Sequence, residues 1–173
     1  MKPSWDKTWF TLCYLMAMRS DDPDTHSGCV VVSPDGKKEV ATGYNGLPRG
    51  IEATEGNTDR NQLKYTYMEH CERNAIYNAA GEGRSTKDCI LYVNWYPCHD
   101  CARAMIQAGI KMVRIHKQGQ EFYEKASHKK WGDSQKMAFR MLKEAGVSVE
   151  IIDLKLDPVT VKLSNSECRI EEL

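Results

Sequence analysis

From Cys71 onward the sequence alternates helix with strand, and that alternation decides the kind of sheet the chain builds. Ala75, Ile76, Ala79 and Ala80 give the stretch Cys71 to Ala80 one helical packing face, and Gly81 is placed to end it. Ile90 to Val93 reads as a strand, Cys98 to Ala108 as a helix closed by Gly109, and Met112 to Ile115 as another strand. Met137, Ala138, Met141, Leu142 and Ala145 mark a further helix before Gly146, and Val147 to Leu154 is a last strand. Each of the last two strands is reached through a helix, and such crossovers join parallel neighbours by right-handed connections.

The start of the chain follows a different rule. Trp5, Trp9, Leu12, Cys13, Met16 and Ala17 recur at three- and four-residue spacing, which predicts a first amphipathic helix. Gly28 to Ser33 and Glu39 to Tyr44 are β-rich runs joined by Pro34, Asp35 and Gly36, the signal of an antiparallel hairpin. The expectation is an α/β fold with a five-stranded mixed sheet, antiparallel at its start and parallel at its end, with helices on both faces. Asn45 to Thr66 reads as an unusually long loop, and His116 to Gly132 as a second irregular stretch. No repeat, low-complexity tract or linker divides the chain. Residues 1–154 are therefore expected to form one domain, with 155–173 as an extension of it, a packed arm or a frayed tail.

At 173 residues the chain is long enough for one sizeable core. Its 24 basic and 24 acidic residues cancel, which argues against a polynucleotide partner but leaves room for a single nucleotide. Neither a signal peptide nor an apolar run of membrane-spanning length is apparent, so no membrane partner and a cytoplasmic location are expected. Seven cysteines are an odd number in such a compartment, and metal binding or catalysis accounts better for those that cluster.

Two fragments carry chemistry: His70-Cys71-Glu72 and Pro97-Cys98-His99-Asp100-Cys101, each at the opening of a predicted helix. Cys98 and Cys101 are three apart, so both face one side of their helix and reach one ion. A helix N-terminus favours the thiolate that binds metal. With His70 they supply three ligands suited to Zn²⁺, and three ligands leave a coordination position for water where a structural site would be closed by four. Two thiolates neutralise the ion, so a nearby base is needed, and Glu72 is that candidate acid/base. Residues two apart point in different directions along a regular helix, so His70 is required to stand where the chain is just entering it.

H-x-E followed by P-C-x-x-C is the signature of zinc deaminases. The chain most closely resembles the deoxycytidylate (dCMP) deaminases through Thr42 to Gly50, Lys64 to Tyr67, Asn74-Ala75-Ile76 and Gln107 to Lys111, in family order from about Trp5 to Glu150. That resemblance implies a cytidine-deaminase-like three-layer sandwich. It implies hydrolysis of dCMP to dUMP and ammonia, supplying dUMP for thymidylate synthesis. Glu72 would move protons, and one Zn²⁺ per subunit would sit on His70, Cys98 and Cys101. Asn45 would contact the sugar and the Cys71 backbone N–H the pyrimidine carbonyl; apart from the resemblance, local positive charge makes Lys130 an expected substrate contact, with Trp131 beside it to cover the base. The resemblance also implies a homo-oligomer, a hexamer in many relatives, with dCTP and dTTP as effectors. Mg²⁺ would accompany them near Gly43, Asn45, Gly46 and Arg49. Cys71 departs from the usual alanine, Arg73 from an apolar residue and Asn94 from a frequent threonine. Arg114, Lys117, Lys125, Lys129 and Lys130 are the expected source of positive charge for the 5′-phosphate. The competing readings are a deaminase of tRNA adenosine or another polynucleotide, and a catalytically silent nucleotide-sensing zinc module.

Overall fold

The run Gly28-Cys29-Val30-Val31-Val32 carries no charged or strongly polar side chain, and it forms strand β1 (Gly28–Val32), buried along its whole length. The computed structural model describes residues 2–126, 132–163 and 166–169. β1 pairs antiparallel with β2 (Glu39–Tyr44) on one side and β3 (Ile90–Val93) on the other. β3, β4 (Met112–His116) and β5 (Ser148–Ile152) run parallel, giving the order β2-β1-β3-β4-β5. The predicted five-stranded mixed sheet is thus present, with its antiparallel and parallel halves where the connections put them.

In chain order the helices are α1 (Trp5–Ala17), α2 (Glu55–Thr58), α3 (Lys64–Tyr67), α4 (Cys71–Gly81), α5 (His99–Gln107), α6 (Lys117–Ala126) and α7 (Gly132–Glu144). Alternation along the strands divides the core between two faces. Val30, Val32 and Tyr92 face α1 and pack on Trp9, Phe10 and Cys13. Cys29, Val31, Leu91, Val93, Val113 and Ile115 face the other way, onto Ala75, Ala79, Ala102, Met105 and Leu142 of α4, α5 and α7. The result is three layers.

Two glycines set how closely the helices approach. A Cβ on Gly28 would stand 2.0 Å from the carbonyl oxygen of Cys13 on α1, and one on Gly43 would stand 2.1 Å from that of Cys71 on α4. The backbones touch there without side chains between them, which seats the first turn of α4 directly on β2.

Two expectations are corrected. Asn45 to Thr66 is not wholly loop: it holds the single turns α2 and α3, α2 fixed by a capping box between Thr54 and Asn57. One turn is too short to produce the apolar periodicity by which longer helices declare themselves. His116 to Gly132 is likewise not all irregular, because α6 occupies Lys117–Ala126. Its sequence is mostly polar, and Phe122 is exposed, so few side chains mark a buried stripe. After β5, Leu154 and Leu156 pack against the α1-side core, and β6 (Thr160–Leu163) pairs antiparallel with β7 (Ser166–Arg169) as a separate ribbon. Among the described residues no helix is long and apolar enough to cross a membrane.

Candidate active site

His70 is the N-cap of α4, extended at φ −78° and ψ 155°, and Cys98 is the N-cap of α5, extended at φ −79° and ψ 170°. Neither side chain accepts a capping hydrogen bond from its own helix. They meet each other instead. Cys98 Sγ lies 3.4 Å from His70 Nδ1 and 3.5 Å from Cys101 Sγ, and Cys101 Sγ is 3.5 Å from His70 Nδ1. Tetrahedral zinc with its usual bond lengths holds S···S at about 3.8 Å and S···N at about 3.5 Å, so this triangle fits the ion with small adjustment. It is the one such group of His, Cys, Asp or Glu among the described residues, and it has three members.

The protonation chemistry of the triangle suits a cation. The Cys98 thiol is pushed down to about 3, first by the hydrogen bond from Cys101, against its burial, and further by His70. Burial pushes the Cys101 thiol up. A cation binding in the triangle takes both sulfurs as thiolates, so binding releases protons. Arg73, one turn into α4, lies beside the cluster. Its Nη1 is 3.8 Å from Cys101 Sγ while its Nε bonds Glu69.

Glu72 occupies the first turn of α4 and is buried. Because His70 is the cap rather than a helical residue, the two side chains reach one site despite being two apart. Cys71 Sγ donates to Glu72 Oε2 at 3.2 Å, and its carbonyl accepts from Cys29 Sγ at 3.0 Å. The Cys71 N–H stands in the first turn, where a helix leaves its N–H groups without acceptors.

His70, Glu72 and Cys98 line a cavity of about 460 Å³. Asn45 also lines it, with its polar atoms already engaged by the chain. Oδ1 accepts from the Ser27 N–H at 2.7 Å, and Nδ2 donates to the Thr25 carbonyl at 2.7 Å and to Asp22 Oδ2 at 3.4 Å. On the same side the buried Lys64 ammonium meets Asp22 at 2.6 Å and Asp24 at 3.0 Å, and Arg60 Nε meets Asp24 at 3.0 Å. Burial alone would lower the Lys64 pKa, but Asp22 and Asp24 outweigh it and hold it above its ordinary value. Lys64 first and Arg60 second hold the Asp24 carboxyl below its own. Across the cavity, Trp95 stacks on Tyr123 of α6 at 4.8 Å between ring centroids. His99 Nδ1 lies 2.7 Å from Ser134 Oγ, tying α5 to α7.

The expected phosphate charges lie elsewhere. Alternation along β4 turns Arg114 to the α1 face, opposite Val113 and Ile115, where it bonds Asp6, Tyr92 Oη and Glu150. Lys117 is paired with Asp153 at 2.5 Å, and Lys125 does not line the cavity. Lys129, Lys130 and Trp131 lie outside the described residues. Of the residues expected at an effector site, Gly43 and Gly46 are buried, Gly46 bridging to Glu69, while exposed Arg49 donates to Asn78 Oδ1 at 2.8 Å. Sequence reasoning assigned no role to Asp22, Asp24, Arg60, Lys64, His99 or Trp95. The run Lys64 to Tyr67 was conspicuous, but nothing local in it says that Lys64 is buried against acids some forty residues earlier.

The sequence from residue 3 to 117 matches the family model described as the cytidine and deoxycytidylate deaminase zinc-binding region. An uncharacterized deaminase of Aliivibrio fischeri is 31% identical over 156 residues, 90% of this chain and 99% of that protein. Human deoxycytidylate deaminase is 39% identical over 114 residues, 63% of this chain and 62% of the human protein, so the match spans less than two thirds of that relative. Among solved structures, the dCMP deaminase of cyanophage S-TIM5 in complex with dCMP and dUMP superposes with a TM-score of 0.64 at 24% identity, over 88% of this chain and 99% of that one. The likeness is one of fold.

Proposed function

This chain belongs to the cytidine and deoxycytidylate deaminase family, and from that premise we propose that it hydrolyses dCMP to dUMP and ammonia. The observation that carries the reading is the three-ligand triangle with buried Glu72 in the wall of the same cavity. His70, Cys98 and Cys101 would hold a zinc ion, which would supply an acidified water. Glu72 takes that water's proton at a carboxylate oxygen and passes it to N3 of the pyrimidine as C4 is attacked. A second proton then moves through Glu72 to the exocyclic amine, which leaves as ammonia. The Cys71 N–H is the donor for the pyrimidine carbonyl, and Asn45 borders the sugar. The dUMP formed would feed thymidylate synthesis in the cytoplasm.

The test is a substrate panel. Purified zinc-loaded protein is offered dCMP, dCTP, deoxycytidine and a tRNA anticodon stem; turnover is expected on dCMP, and turnover only on the stem would overturn the choice. No turnover on any of them would favour a silent sensing module. We further propose a homo-oligomer, a hexamer, activated by dCTP and inhibited by dTTP with Mg²⁺ near the Gly43 to Gly50 turn, where Arg49 is the exposed cation. Solution mass and activity against added dCTP and dTTP test this.

A further inference from the structure

Among the described residues the cavity has three Lys or Arg side chains in its lining, Arg60, Lys64 and Arg73, and two are committed to the fold or the metal cluster. Arg73 bonds Glu69 and faces Cys101. The Lys64 side chain is 4% exposed and is clamped between Asp22 and Asp24. Arg60 differs: its side chain is 54% exposed, and among the described residues it makes one ion pair, through Nε to Asp24 Oδ2. A guanidinium carries five N–H donors in a fixed fork, so the terminal ones remain to receive an oxyanion.

Its partner is arranged to release it. Asp24 Oδ2 accepts from Lys64 Nζ and Arg60 Nε at the same 3.0 Å. When Arg60 turns to another anion, Asp24 keeps its hydrogen bond from the Lys64 ammonium. Asp22 and Asp24 face Lys64 and Arg60 two against two, and of the two cations Arg60 is the one with an exposed side chain that can turn to a phosphate. Resting on the reading of the site as a mononucleotide deaminase, we propose that Arg60 is the specificity-determining residue that takes the substrate's 5′-phosphate, with the carboxylate it shares with Lys64 as its resting partner.

The experiment titrates zinc-loaded protein and its Arg60→Gln variant with dUMP and with deoxyuridine by calorimetry, and assays both proteins on dCMP. Loss of one charge-assisted hydrogen bond to the phosphate weakens dUMP binding about 10- to 100-fold. Deoxyuridine binding shifts far less, the dCMP defect falls on KM rather than kcat, and Arg60→Lys recovers part of it. Equal weakening of both ligands, or of neither, overturns the assignment while leaving the deaminase reading in place. A wild-type protein that neither binds dUMP nor turns over dCMP overturns both.

Discussion

Glu72 and Arg73 are neighbours in the chain and do different work at one metal cluster. The carboxylate is buried in the cavity wall, whereas the guanidinium stands behind Cys101, 3.8 Å from its sulfur. Two thiolates cancel the charge of zinc, and a cation bonded to one of them draws electron density back off the sulfur. Replacing Arg73 with Leu removes that donor. In cobalt-loaded protein the sulfur-to-metal charge-transfer band is expected to move to lower energy, and an unmoved band would mean that Arg73 serves only Glu69. At this scale residue type and spacing were informative: His70, Cys98 and Cys101 were legible because ligand chemistry restricts the choice to a few residues, and Glu72 because the three-ligand site calls for a nearby base. Arg60 and Lys64 were not, because a lysine or arginine in a polar stretch looks alike whether it is solvated or folded against distant acids.

Elements bring those residues together. The site exists because α4 and α5 both begin at the same cavity, each offering an extended N-cap residue as ligand. Gly43 fixes one of the two, since α4 rests on it at backbone contact. A methyl there must push Cys71 and the first turn of α4 outward, so Gly43→Ala is expected to cost about 3 kcal/mol or more and to lower zinc affinity, read by denaturant midpoint and chelator competition. Unaltered zinc affinity would show that β2 does not seat the site. The parallel half of the sheet was legible from helix–strand alternation; α6 was not, because it buries little apolar surface.

The turn from Asp21 to Ser27 is held to α3 by the Lys64 ammonium, which makes its integrity pH-dependent. Asp24 has its folded pKa below the ordinary value, so its contribution is present above about pH 4 and is lost as pH falls through the depressed folded value. Lys64 has its folded pKa raised, so its contribution is present below about pH 10 and is lost as pH rises through that folded value. Lys64→Met leaves Asp22 buried without its cation and is expected to cost about 3–5 kcal/mol at neutral pH. Its acid unfolding should also follow pH less steeply below pH 4 than that of the wild type. Identical acid limbs would show that this cluster does not govern the acid side.

For the whole molecule, a net charge of zero excludes an extended anionic partner only in the sense that positive charge must be local. The described structure shows how local it is: Arg114, Lys117 and Lys64 all lie against carboxylates, and Arg60 is the half-exposed cation at the cavity. Metal then becomes part of the stability of the molecule, since zinc binds an arrangement that only the fold provides. Stripping it with a chelator is expected to remove one equivalent and lower Tm by about 5–10 °C, relative to zinc held at a hundredfold excess over its Kd. An unchanged Tm would mean that the triangle does not bind zinc in the native protein. The most direct measurement pairs metal content with turnover: ammonia released from dCMP by the zinc-loaded wild type and by Glu72→Ala at matched zinc occupancy. One zinc in each protein is expected, with one ammonia per dCMP from the wild type and a rate at least about 10²- to 10⁴-fold lower from the variant. Undiminished ammonia release by the Glu72→Ala protein, or none from the wild type, would contradict the assignment of this site as a zinc- and glutamate-dependent dCMP deaminase.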